Sequence, residues 1–76
     1  MPKLPVISAK QLIKILTKIG FSIISQSGSH IKLRRIIHNK TQTVIVPNHK
    51  TLKPGTLRNG ILKAIDLSVE ELIHHL

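Results

Sequence analysis

Residues 21–46, "FSIISQSGSHIKLRRIIHNKTQTVIV", decide the fold. Two turn-forming tracts, "QSGS" and "HNK", separate three runs rich in β-branched residues. The middle run, residues 30–37, alternates with period two. Ile31, Leu33, Arg35 and Ile37 point one way; His30, Lys32, Arg34 and Ile36 point the other. Before it, "FSIIS" reads as a strand with Phe21 and Ile23 on one face. After it, "TQTVIV" reads as the returning strand, ended by Pro47. Three consecutive strands joined by short turns make an antiparallel meander.

Outward from the strands the apolar period becomes helical. In "SAKQLIKILTKI", residues 8–19, Ala9, Leu12, Ile13, Leu16 and Ile19 fall on one face at helical spacing. Ser8 is placed to cap this helix, and Gln11 completes a capping-box pattern; Gly20 is placed to end it. Lys10, Lys14 and Lys18 form a basic stripe away from the apolar face. Downstream, Leu57, Ile61, Ala64 and Ile65 share a face, with Pro54 suited to the first turn. Ser68 and Glu71 form a second capping-box pattern before a short last helix. The expected architecture is α+β, in the order α-β-β-β-α-α, as a single domain over residues 1–76. Helices on one side of the sheet leave the other side free, lined by His30, Lys32 and Arg34.

Composition narrows the partners. The chain has 12 Lys+Arg against 3 Asp+Glu, a net charge of +9, which points to a polyanion and to nucleic acid first. Phe21 is the only aromatic residue, so recognition of single strands by base stacking is weak and contacts to backbone and 2′-OH are favoured. Without cysteine there is no disulfide and no thiolate metal site. Its five histidines are scattered and its carboxylates, Asp66, Glu70 and Glu71, fall near helix caps, so no metal cluster is expected. A small aliphatic core offers no natural pocket for an organic cofactor, and none is expected. The N-terminal "MPKLPVISAK" has no apolar run of signal-peptide length, and no segment nears the ~20 apolar residues of a membrane span. A cytoplasmic protein without a membrane partner is the expectation.

Three features meet where the middle strand opens. Gly28 permits a positive-φ turn, so Gln26–Ser29 are placed to offer backbone N–H groups to a phosphate. His30 is the side-chain type best suited to proton transfer near neutral pH. Lys32 and Arg34 follow on the same face, where they would hold a phosphodiester backbone and stabilise developing charge. A base at this position, set against a ribose 2′-OH, would promote attack on the adjacent phosphate. The motif "GSH" before a strand also fits a surface turn on a protein that grips RNA without cutting it. Lys10 and Lys14 fit either a solvated face or an RNA contact, and His49, in "VPNHK", either a loop residue or a phosphate ligand.

The sequence resembles the HicA family of toxins, small mRNA interferases paired with HicB antitoxins. The resemblance rests on "SAKQLIKILTKIGF", "GSH" with a basic strand behind it, "VIVPNHK" and "LKPGTLRNGILKAIDLSVEEL", in this order along nearly the whole chain. It implies a fold similar to the double-stranded-RNA-binding domain and metal-independent cleavage of mRNA. It also implies that the histidine of the glycine-serine-histidine motif is essential, which falls on His30 after Gly28 and Ser29. A more acidic, HicB-like antitoxin is the implied partner, alongside mRNA. Relatives often carry a second histidine or an aromatic just after the catalytic one, where this chain has Ile31 and Lys32. The stretch "TLRNGILKAIDLS" is one residue longer than the common family spacing and holds Gly60, so the helix there is expected to start late or to be irregular.

Overall fold

The computed structural model describes residues 3–76; Met1 and Pro2, part of the domain expected over 1–76, lie outside the described residues. Helix α1 spans Ala9–Lys18. Its first turn is closed by a reciprocal capping box. The Gln11 N–H donates to Ser8 Oγ at 3.1 Å, and the Ser8 N–H donates to Gln11 Oε1 at 3.0 Å. Its end is a Schellman motif at Gly20, whose φ is +108°. The Phe21 N–H reaches the Leu16 carbonyl at 2.9 Å and the Gly20 N–H the Thr17 carbonyl at 3.3 Å. Phe21 and Leu16 are both buried, the hydrophobic contact that accompanies such an ending. The buried face is Ala9, Leu12, Ile15 and Leu16. Ile13 and Ile19, expected in the core stripe, are only partly buried, because the helix is rotated toward Ile15.

The meander follows: β1 Ser22–Ser27, β2 His30–Ile37 and β3 Lys40–Pro47, antiparallel in the order β1-β2-β3. Both connections are two-residue turns. At His38 and Asn39 φ is +51° and +61°, the two positive values of a type I′ turn. At the other, Gly28 alone is positive, φ +58°, the pattern of type II′. The "QSGS" turn is thus shorter than its sequence suggests, since Gln26 and Ser27 already pair with Ile31 and His30. Along β2 the expected alternation holds: Ile31 and Leu33 are buried opposite Val46 and Val44, while Lys32 and Arg34 face outward opposite Ile45 and Thr43.

The expected pairing of Phe21 and Ile23 on one face fails. Phe21 is buried, whereas Ile23 is 53% exposed. Phe21 belongs to the ending of α1 rather than to the strand, and the register of β1 shifts between Ile23 and Ser25. Such a bulge breaks period-two alternation in an edge strand.

After β3 the chain crosses to the helical layer and forms an irregular helix, as the extra residue and Gly60 imply. It is a π-helical segment, Thr56–Leu62, running into a 3₁₀ turn, Lys63–Ile65. Pro54 stands in helical conformation just before it. The Lys63 N–H bonds the Arg58 carbonyl five residues back. This wider turn changes which residues face inward. Leu57, Ile61, Leu62 and Ile65 are buried, whereas Ala64, expected in the core, is exposed. Asp66 closes the segment in the left-handed region, with the Leu67 N–H on the Leu62 carbonyl at 2.9 Å. Helix α2, Val69–His74, opens with the expected capping box, the Glu71 N–H on Ser68 Oγ at 3.0 Å.

One cluster of buried side chains joins α1, the inner faces of β2 and β3, the π-helical segment and Leu72 of α2. All helices lie on that side of the sheet. The result is the α+β architecture with a three-stranded antiparallel sheet, and it matches the double-stranded-RNA-binding-domain-like arrangement. The opposite face of the sheet is uncovered, and Ile36 and Ile45 stand exposed on it beside the basic residues.

Candidate functional site

The type II′ turn at Gly28 and Ser29 sets His30 as the first residue of β2, paired with Ser27 on one side and Pro47 on the other. His30 is exposed, and among the described residues its imidazole makes no hydrogen bond. Among the described residues no hydrogen bond therefore orients the ring, which leaves both nitrogens open to a ligand. Lys32 and Arg34 follow on the same face at steps of about 6.6 Å, two residues of strand.

The end of the sheet is tied to its surroundings by backbone bonds. The Asn48 N–H donates to the Ser29 carbonyl at 2.6 Å, which extends the β2–β3 ladder past His30. The Ala9 N–H donates to the His49 carbonyl at 2.9 Å, and the Leu52 N–H to the Ile7 carbonyl at 2.9 Å. The glycine-serine turn, the "PNHK" loop and the start of α1 are thereby gathered at one end of the molecule. Between the last two lies an open groove of about 520 Å³, lined by Ser8, Lys10, Asn48, His49 and Lys50. His30 and His49 each directly follow one of the residues that make the Ser29–Asn48 bond.

Of the residues expected to contact RNA, the fold brings Gly28, Ser29, Lys10 and His49 to this end, beside His30. Lys32 and Arg34 lead away along the open face of the sheet. Lys14 is separated from the groove by one turn of α1 and lines a second depression instead. Of the backbone expected over Gln26–Ser29 to face a phosphate, Gln26 and Ser27 lie in β1, opposite Ile31 and His30, and Gly28 and Ser29 form the turn. Sequence reasoning missed Lys50 and Asn48, although Lys50 stands next to His49 in "VPNHK". Their place in the groove emerges only once the loop after β3 folds against the cap of α1.

Arg35 separates from this set. It points to the helical side, where its Nε donates to Gln42 Oε1 at 2.6 Å and its Nη1 to the Ile19 carbonyl at 3.1 Å. The guanidinium lies 4.8 Å from the centre of the Phe21 ring. It is a clamp between the end of α1 and the sheet. Among the described residues no three His, Asp or Glu side chains come together as a metal-binding group.

The family described as HicA toxin of bacterial toxin-antitoxin matches residues 9–67. The chain belongs to the HicA toxin family. The match begins at the first residue of α1 and ends just after Asp66, so it takes in every residue of the groove but Ser8, the turn before His30 and the whole π-helical segment. No curated protein and no solved structure matches this HicA-family chain. Membership makes it a toxin of a toxin–antitoxin system and implies an antitoxin partner. Among the described residues no helix is long and apolar enough to cross a membrane.

Proposed function

We propose that this HicA-family toxin is an endoribonuclease that cleaves mRNA, with His30 as general base, and that a HicB-like antitoxin inhibits it. The observation that carries the reading is the position of His30. It stands exposed at the mouth of a strand, behind a glycine-serine turn, with Lys32 and Arg34 on the same face.

In the proposed reaction the neutral imidazole of His30 takes the proton of a ribose 2′-OH. The resulting 2′-oxygen attacks the adjacent phosphorus, and the bond to the 5′-oxygen of the next nucleotide breaks. The products are a 2′,3′-cyclic phosphate and a 5′-hydroxyl; the 5′-oxygen takes its proton from water and the His30 imidazolium returns its own to solvent, so atoms and charge balance. Gly28 and Ser29 let the phosphate approach the backbone, and Lys32 and Arg34 offset the charge that develops on its oxygens. Lys10, Lys14 and His49 contribute binding of the flanking strand. Only RNA supplies the attacking hydroxyl, so DNA of the same sequence is bound and left intact. No metal or organic cofactor takes part in this scheme.

Replacing His30 with Ala tests it. The expected result is loss of RNA cleavage in vitro and of growth arrest in vivo, by a factor of about 10²–10⁴ for a general base. Full activity in His30→Ala removes His30 from the mechanism. A second reading, an RNA-binding module without catalysis, is favoured because among the described residues no hydrogen bond orients the imidazole. Under it the purified protein shifts RNA in a gel, leaves its length unchanged, and is indifferent to His30→Ala.

A further inference from the structure

A second depression runs along α1, away from the His30 end. It measures about 200 Å³ and is lined by Gln11, Lys14, Ile15, Lys18, His75 and Leu76, between α1 and the C-terminal end of α2. That volume falls below the roughly 300–1,000 Å³ of pockets that enclose small organic ligands.

The lysines give it direction. Lys10 lines the groove beside His49, and Lys14 and Lys18 line the second one. Each step of four residues advances about 6 Å along the helix axis. This is comparable to the separation of successive phosphates in a nucleic-acid strand. Among the described residues none of the three ammonium groups makes a side-chain hydrogen bond. The carboxylates of α2, Glu70 and Glu71, sit in its first turn, at the opposite end from His75, and Glu71 is engaged by the Ser68 N–H. Among the described residues no carboxylate side chain lines this depression, so its side-chain charge is cationic.

We propose that this helix face is an exit track for single-stranded RNA, on which Lys14 and Lys18 hold phosphates of the strand that leaves the His30 end. The inference rests on the ribonuclease reading and extends its footprint to Lys18 and the α1–α2 groove. A protein partner is the weaker match, because the face offers regularly spaced charge, with Ile15 buried and Leu76 the one exposed apolar residue in its lining. By contrast, the open sheet face carries exposed isoleucines. With no Phe, Tyr or Trp in the track, its hold is on phosphates and takes any base sequence.

The test measures anisotropy of fluorescein-labelled 2′-O-methyl oligouridine, which lacks the attacking hydroxyl, at several salt concentrations. Two lengths are used, roughly 4 and roughly 12 nucleotides, both within the range of site sizes of single-strand grooves. For the longer RNA, Lys18→Ala should weaken binding severalfold at low salt and flatten the salt slope by about 0.7, the value for one phosphate contact on a single strand. Lys14→Ala/Lys18→Ala should flatten it by about 1.4. Binding of the shorter RNA should respond less to Lys18→Ala than binding of the longer one. Lys63→Ala, on the exposed side of the 3₁₀ turn, controls for net charge and should leave the slope unchanged. Equal slopes for Lys18→Ala and wild type overturn the track, as does an equal effect from Lys63→Ala. A loss seen with duplex RNA alone, or only in association with an acidic antitoxin, also overturns it. Cleavage of unmodified RNA by the wild-type chain is scored separately. A chain that fails to cleave but shows the slope changes loses the ribonuclease reading and keeps the track. One that cleaves without them keeps the reading and loses the track.

Discussion

Arg35 and His30 show how one residue type per position can carry opposite duties in a single strand. Both are polar, and five residues of alternation put them on opposite faces of β2. Among the described residues His30 has no hydrogen-bond partner, whereas Arg35 is committed to Gln42, the Ile19 carbonyl and the Phe21 ring. Replacing Arg35 with Ala should therefore lower stability by about 1.5–3 kcal/mol, the range for hydrogen bonds to a charged group, as read by urea denaturation. Arg35→Lys should recover only part of this, since an ammonium cannot reproduce the planar fork. At Gly20 the constraint is the backbone alone. Its φ is +108° and a Cβ there would meet nothing within 4 Å. Gly20→Ala should cost at least about 1 kcal/mol from conformational strain, with no steric term added.

At the scale of elements, the irregular helix carries the clearest consequence. A glycine inside a helix costs roughly 1 kcal/mol against alanine, and the space around Gly60 is open. Gly60→Ala should raise the melting temperature, with a gain of about 0.5–1 kcal/mol. A loss of stability instead would mean that the π-helical geometry depends on glycine at that point. The extra residue was legible in "TLRNGILKAIDLS", and so was irregularity. Which residues turn inward was not, because an apolar pattern is read on a period of 3.6, and bonds five residues apart displace it. Hence Leu62 replaces Ala64 in the core. The bulge in β1 is the same kind of event in a strand. "FSIIS" is apolar enough for either register, and nothing local tells where the extra residue falls.

For the whole molecule, size and charge set the terms. A 76-residue chain draws rarely more than about 3–5 kcal/mol from a single core. Leu33 is fully buried in the middle strand, and Leu→Ala changes at such sites cost about 2–5 kcal/mol. Leu33→Ala should leave the protein largely unfolded at physiological temperature, visible as loss of a cooperative thermal transition. The net charge of +9 acts at longer range. Association with an acidic antitoxin should slow steeply as salt rises, measured by stopped-flow mixing, because steering of opposite charges is screened.

The sequence by itself determined the element order, both capping boxes, the alternation along β2 and the basic character of the surface. Each of these follows from neighbours within a few residues or from composition. Tertiary structure alone decided that the loop holding His49 and Lys50 folds against the cap of α1, next to the turn that presents His30. That meeting depends on backbone hydrogen bonds between segments far apart in the chain, Ala9 with His49 and Ser29 with Asn48. No local pattern encodes such pairs, since a peptide N–H is the same at every residue and only the packed core brings the two ends within reach.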